Sequence, residues 1–208
     1  TYHKEIKNHR LAREIIATTM ANSLVNRMGP TFIKSRMNKT SASTADITRA
    51  YIVVREAFGL RQIWDEIEAL DNKVPAEVQM KAMRETALLA EHAITWFLTR
   101  FGRDLDIGRD CGVFSKGVAD LRQNLDGLVT DNLRATIKQR ADAGVRDGLP
   151  KDLSHTIALM PVMSSACDMI NIADSRGMNL SDIASTYFEL GEHFHLDWLR
   201  SQARYLSA

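Results

Sequence analysis

The sequence is poor in nearly every pattern that announces chemistry. Only two cysteines, Cys111 and Cys167, occur in 208 residues, and they form no CxxC pair. A disulfide scaffold or thiolate metal site is therefore not the organising principle, and two reduced, mostly buried thiols are expected, as in a cytoplasmic protein. Neither sign of charge dominates: 27 Lys and Arg face 26 Asp and Glu, for a net charge of +1. Dedicated nucleic-acid binders draw their affinity from a basic excess that neutralises phosphates, so no nucleic-acid partner is expected. No apolar run approaches the ~20 residues that span a bilayer. The polar, basic start from Thr1 to Arg10 lacks the apolar segment of a signal peptide, so no membrane partner is expected either. The glycine patterns that bring backbone amides against phosphate, GxGxxG and GxxxxGK[ST], are missing, and the densest glycines, Gly102 to Gly117, follow no predicted strand. A complete dinucleotide site is not expected.

What is present is helical periodicity. The hydrophobic share of 45% and charged share of 25% are those of a globular protein. No alternating stretch is long enough for a convincing strand, so the expected fold class is all-α, a multi-helix bundle. Ala12, Ile16, Met20, Leu24 and Met28 recur every four residues, with Gly29-Pro30 ending that helix and residues 31–42 read as a loop. Ser43 caps the next helix with Asp46 in its first turn, and Ile47, Tyr51, Val54 and Phe58 form the stripe. Gly59 interrupts before a short helix with Ile63, Trp64 and Ile67 inward. Pro75 opens a long helix whose stripe is Ala76, Met80, Met83, Ala87, Ala90, Ile94, Phe97 and Phe101. Residues 102–112 read as a connecting loop. They divide the chain into helical subdomains 1–101 and 113–208, unless the whole is one domain. Beyond it, Phe114, Val118, Leu121, Leu125 and Leu128 form another stripe, and Thr130 or Asp131 caps a helix with Leu133 and Ile137. Gly144 to Gly148 reads as a turn, and Pro150 starts a helix that Pro161 should kink or break. Leu159, Met163, Ala166, Ile170 and Ala173 continue the apolar face to Gly177. Ser181 caps the last helix, with Ile183, Tyr187, Leu190, Phe194 and Trp198 inward.

Candidates for chemistry are few. Glu192, His193, His195 and Asp197 are the only dense metal-ligand gathering, but helical residues two apart diverge by about 200°, so His193 and His195 cannot share an ion. His92 beside Glu91 and His155 beside Ser154 have no partner identifiable in sequence. Ser164, Ser165 and Cys167 cluster without the GxSxG elbow. Glu66 with Glu68, and Asp104 with Asp106, read as solvated charges. No catalytic, cofactor-binding or metal-binding residue is assigned. Ser43–Leu70 outlines a helix-turn-helix with the basic residues 34–39 beside it, but Asp65, Glu66 and Glu68 on the would-be recognition helix would repel a polyanion.

Several ordered blocks carry a resemblance. His9-Arg10-Leu11-Ala12-Arg13-Glu14-Ile15-Ile16-Ala17-Thr18 resembles the segment HPLRREIIAT of the large bacterial NAD-specific glutamate dehydrogenases, with Arg10 for the usual Pro and Ala12 for the usual Arg. Further blocks follow in order: Ala21-Asn22, Leu24-Val25-Asn26, Met28-Gly29, Thr31-Phe32, Asp46-Ile47, Arg49-Ala50-Tyr51, Trp64 with Ile67 to Asp71, and Trp96-Phe97-Leu98. Tyr187-Phe188, Leu190-Gly191 and Leu196 to Arg200 are similar to the family's YFxLGxxFxLDWLR. The resemblance implies the helical C-terminal region of an enzyme that deaminates L-glutamate oxidatively with NAD. It also implies a chain extending on both sides, and catalytic and NAD-binding segments outside the matched part. It suggests a structural or regulatory domain that contacts the catalytic domain of the same chain, within a homo-oligomer in the cytoplasm. Asn22, Asn26 and Asp197-Trp198 would then fix helix packing or that contact. The alternative is an amino-acid effector module, with Arg10, Arg13 and Arg49 holding carboxylates. Phe194, Leu196, Trp198 and Leu199 crowd too many apolar residues onto one helix to turn inward together, so exposed apolar surface is expected from Glu189 to Arg200.

Overall fold

The structure, a computed structural model, describes residues 10–194. Nine α-helices follow one another there: α1 Ala12–Thr40, α2 Thr44–Ala57, α3 Leu60–Glu68, α4 Ala76–Arg100, α5 Ile107–Leu128, α6 Asp131–Arg146, α7 Lys151–Met163, α8 Ala166–Arg176 and α9 Leu180–His193. A single 3-10 turn, Gly102–Asp104, precedes α5. No strand occurs among the described residues, so the molecule is an all-α multi-helix bundle.

Helix α1 bends where the sequence demands it. Gly29 has φ 78 and ψ 156, a backbone open to glycine but not to other residues, and Pro30 bars the residue before it from helical geometry. The chain does not become a loop there, as residues 31–42 suggested. It resumes as helix to Thr40, because Phe32 is buried and Arg36 donates to Thr95 Oγ1 of α4 at 2.9 Å. The α1 stripe is also shorter than its spacing implies. Leu24 and Met28 are buried, Ala12 and Met20 are partly covered, and Ile16 is exposed.

Helix α2 starts at a full capping box: Ser43 Oγ accepts from the Asp46 amide at 3.2 Å and Asp46 Oδ2 accepts from the Ser43 amide at 2.9 Å. Its stripe, Ile47, Tyr51, Val54 and Phe58, is fully buried. Gly59, left-handed at φ 60, turns the chain into α3, where Ile63, Trp64 and Ile67 face the core. In α4 the expected stripe is rotated. Ala76 and Met80 are exposed, and the buried set is Ala82, Thr86, Leu89, Ala90, Ala93, Ile94, Phe97 and Leu98. Trp64 Nε1 donates to Thr86 Oγ1 at 2.9 Å, which makes a threonine part of the core face. Pro75 is the cap residue of α4 rather than its first helical position.

The loop expected over 102–112 ends early. Asp106 caps α5 by accepting from the Arg109 amide at 2.7 Å, so α5 begins at Ile107 and Asp110 is buried within it. Trp96, Phe97 and Phe101 of the α4 end meet Phe114 of α5, with Phe97 and Phe114 centroids 4.7 Å apart. One apolar core draws residues from both sides of this joint, with α2 against α5 and α4 against α7.

Five more local expectations change. Leu128 is only half-buried at the end of the α5 stripe. Gly144 lies inside α6 rather than in a turn: a Cβ there would stand 2.2 Å from Ser154 Oγ of α7, so its use is close helix contact. The break near Pro161 falls at Ser164–Ser165, and α7 and α8 meet there at a bend of 63°. Asn179, not Ser181, caps α9, accepting from the Ser181 amide at 2.8 Å. The α9 face is rotated as well: Ala184 and Phe188 are buried, Ile183 and Tyr187 half-buried, and Leu190 and Phe194 exposed. Trp198 lies outside the described residues.

Candidate functional site

The residues flagged for chemistry are dispersed or already engaged. Glu192 accepts from Asn132, and the His193 ring stands edge-on to Phe194. His195 and Asp197 lie outside the described residues. Among the described residues no three of His, Cys, Asp and Glu gather as a metal site. His92 and His155 are exposed, and buried Ser154 donates to the Ala141 carbonyl at 2.7 Å. Ser164 donates to the Pro161 carbonyl at 2.6 Å, closing the broken turn. Cys167 is fully buried, and burial followed by the Asp168 charge pushes its thiol well above the ordinary range. Burial likewise raises Cys111, with Glu56 and Asp110 adding to it. Neither is an activated thiolate, which needs the opposite shift.

Glu68 pairs with Arg27 at 2.6 Å, Glu66 accepts from Gln62, and Asp106 serves as a cap. The inward face of α3 is buried and its exposed face carries Asp65, Glu66 and Glu68, so the outlined helix-turn-helix presents carboxylates outward. Asn22 and Asn26 lie exposed on α1.

The three arginines do not converge. Arg49 pairs with Asp46 on its own helix at 3.1 Å. Ser23 and Tyr51 hydroxyls lie 2.7 Å apart and Arg55 Nη1 reaches Met20 sulfur at 3.2 Å, so α1 and α2 run antiparallel with Arg49 opposite residues 25 and 26. Arg13 is then about 20 Å away along the axis, at ~1.5 Å per residue. One carboxylate cannot bridge that distance.

Sequence spacing missed the polar contacts that tie helices together. Arg122 Nη2 of α5 donates to the Phe58 carbonyl at the end of α2 at 2.9 Å, and burial draws its guanidinium below its ordinary value. Arg36 lies over the Phe32 ring at 5.2 Å, and its Nε is buried without a hydrogen-bond partner. Arg109 holds both oxygens of buried Asp110, at 2.6 and 3.1 Å. A cleft of about 120 Å³ opens between α4, α6 and α7. Lys81, Glu85, Arg140 and Asp147 line it above an apolar floor of Ala82, Leu149 and Ile157, and Arg140 reaches Glu85 at 3.2 Å. The partners of Arg122 and Arg140 lie far away in sequence on other helices, so no local motif marks them.

Fold and contacts together define a helical module in which polar side chains close helix ends and join neighbouring helices. The chain belongs to the family described as glutamate dehydrogenase, C-terminal, whose model matches residues 1–208. It is 33% identical over 201 residues to an NAD-specific glutamate dehydrogenase of Halomonas elongata, covering 97% of this chain and 12% of that protein. To the enzyme of the same description from Pseudomonas aeruginosa it is 34% identical over 197 residues, covering 95% of this chain and 12% of the relative. The corresponding protein of Mycobacterium tuberculosis is 27% identical over 195 residues, again with 12% of its length covered. The chain thus spans about an eighth of the length of these relatives.

Proposed function

We propose that this chain is the non-catalytic helical C-terminal region of an NAD-specific glutamate dehydrogenase, which converts L-glutamate, NAD and water to 2-oxoglutarate, ammonia and NADH. Its role there is structural or regulatory, through contact with the catalytic part of the same chain and within a cytoplasmic homo-oligomer. The observation that carries this reading is the family match along residues 1–208, joined to a bundle in which Asp46 completes the cap of α2 and Arg122 ties α5 to its end. NAD belongs to the rest of the enzyme, since the glycine pattern that would cradle its pyrophosphate is missing from this sequence. Titration calorimetry of the 208-residue chain with NAD tests this, and a saturable micromolar isotherm would overturn it.

A second reading, an amino-acid effector module, rests on the cleft between α4, α6 and α7. Lys81 and Arg140 could receive a carboxylate there while Glu85 and Asp147 receive an ammonium, in a space suited to a small amino acid. Calorimetry against the protein amino acids separates the two readings: heat lost on Arg140→Gln favours the effector module, and no heat favours the structural role.

A further inference from the structure

We infer that the end of the bundle where α1 begins and α9 finishes is the face that receives the preceding part of the full-length enzyme chain. This rests on the reading of the region as a module of a larger enzyme. The helix registers bring four helix ends together. Helix α1 runs antiparallel to α2 through the Ser23–Tyr51 and Met20–Arg55 contacts, so its start lies at the end of α2. Arg122, near the end of α5, meets Phe58, the cap of α2. Glu192, near the end of α9, meets Asn132, just beyond the end of α5. On the same register Phe58 lies opposite residues 16 and 17, so α1 continues for roughly 9 Å past the last turn of α2.

Large apolar side chains are exposed on the two helices that flank this end. On α1, Leu11 is 45% and Ile16 is 51% exposed; on α9, Leu190 is 48% and Phe194 is 60% exposed. Single exposed apolar residues are ordinary; these four stand on the two helices that flank one end of the bundle, where a single docked segment would cover them. The occupant follows from the proportions of the relatives. They are about eight times longer than the matched region, and the family description places that region at the C-terminal side. Both limits of the described segment, Arg10 and Phe194, also emerge at this end. A neighbouring segment of the same chain is therefore held close to the patch, where tethering raises its effective concentration.

Hydrogen–deuterium exchange tests the inference by comparing the full-length enzyme with the 208-residue chain. The expected result is slowing by roughly tenfold or more of the amides from Ala12 to Met20 and from Phe188 to Phe194 in the full-length enzyme. Phe194→Asp should remove that protection, and Met80→Asp, on an exposed site of α4, should not. Equal exchange in both proteins overturns the docking face. So does protection that appears in the 208-residue chain alone as its concentration rises, because the occupant is then a second copy. Protection confined to another surface overturns this face but leaves the module reading intact; protection nowhere removes both.

Discussion

Arg122 of α5 donates from Nη2 to the carbonyl oxygen of Phe58, 2.9 Å away at the C-terminal end of α2. The last carbonyls of a helix have no partner within it and carry the negative end of its dipole, so a guanidinium from a neighbouring helix satisfies both. Gly59 then leaves the helix axis immediately, which opens the carbonyl to that approach. Replacing Arg122 with Met keeps most of the apolar stem and removes the donor. The expected loss is about 1.5–3 kcal/mol, the range for hydrogen bonds involving a charged partner. Urea denaturation midpoints check it, and Arg122→Lys should fall between the two because its ammonium is a shorter point donor.

The capping box of α2 should give stability a dependence on acid pH. Hydrogen bonds from the Ser43 hydroxyl and then the Ser43 amide hold the Asp46 carboxyl below its ordinary value, helped by Arg49 and Arg103 and opposed by burial. A carboxyl lowered in the folded state stabilises above its unfolded value and loses that contribution as pH falls through the folded one. Ser43→Ala should cost about 1–2 kcal/mol at neutral pH. The difference in stability between wild type and Asp46→Asn should shrink as pH falls from the ordinary carboxyl value of 3.8 through the lowered folded one, in paired melts.

Glycines of the same helical type should respond with opposite sign. A Cβ on Gly117 would stand 2.6 Å from Ile170 Cγ1, and one on Gly144 would stand 2.2 Å from Ser154 Oγ. Alanine at either position should destabilise by about 1–3 kcal/mol through overpacking, and at Gly144 it also displaces the Ser154 hydrogen bond to Ala141. Gly112, inside α5 with nothing within 4 Å of an added Cβ, should gain about 0.5–1 kcal/mol as alanine. Thermal melts of the three variants give the signs directly.

The core of α4 and its exposed start supply a further contrast. Ile94 and Phe97 are fully buried, whereas Met80 is 68% exposed. Ile94→Ala or Phe97→Ala should cost about 2–5 kcal/mol, the range for large-to-small core changes. Met80→Ala should stay within about 0.5 kcal/mol, as surface changes do. Denaturant titration of all three measures the difference, and a large loss at Met80 would show that this side chain is covered.

Much of this molecule is determined within short windows of sequence. Helical period, the Ser43–Asp46 box, the Gly29-Pro30 bend and the Gly59 and Gly177 stops are local, because hydrogen bonds within one turn and the allowed φ and ψ of single residues decide them. The family blocks are local too. What the tertiary structure alone decided is which face of each helix turns inward. Period places apolar residues on a side but leaves its rotation open, so Met80 and Ile16 fell outside while Thr86 came in through Trp64. Residues 31–40 became helix because α4 offered Arg36 a partner in Thr95, a contact across the fold that no spacing reveals. Arg122 on Phe58, Arg140 beside Glu85 and Gly144 against Ser154 have the same cause: each energy depends on a neighbour from another helix, and only the packed chain brings that neighbour within reach.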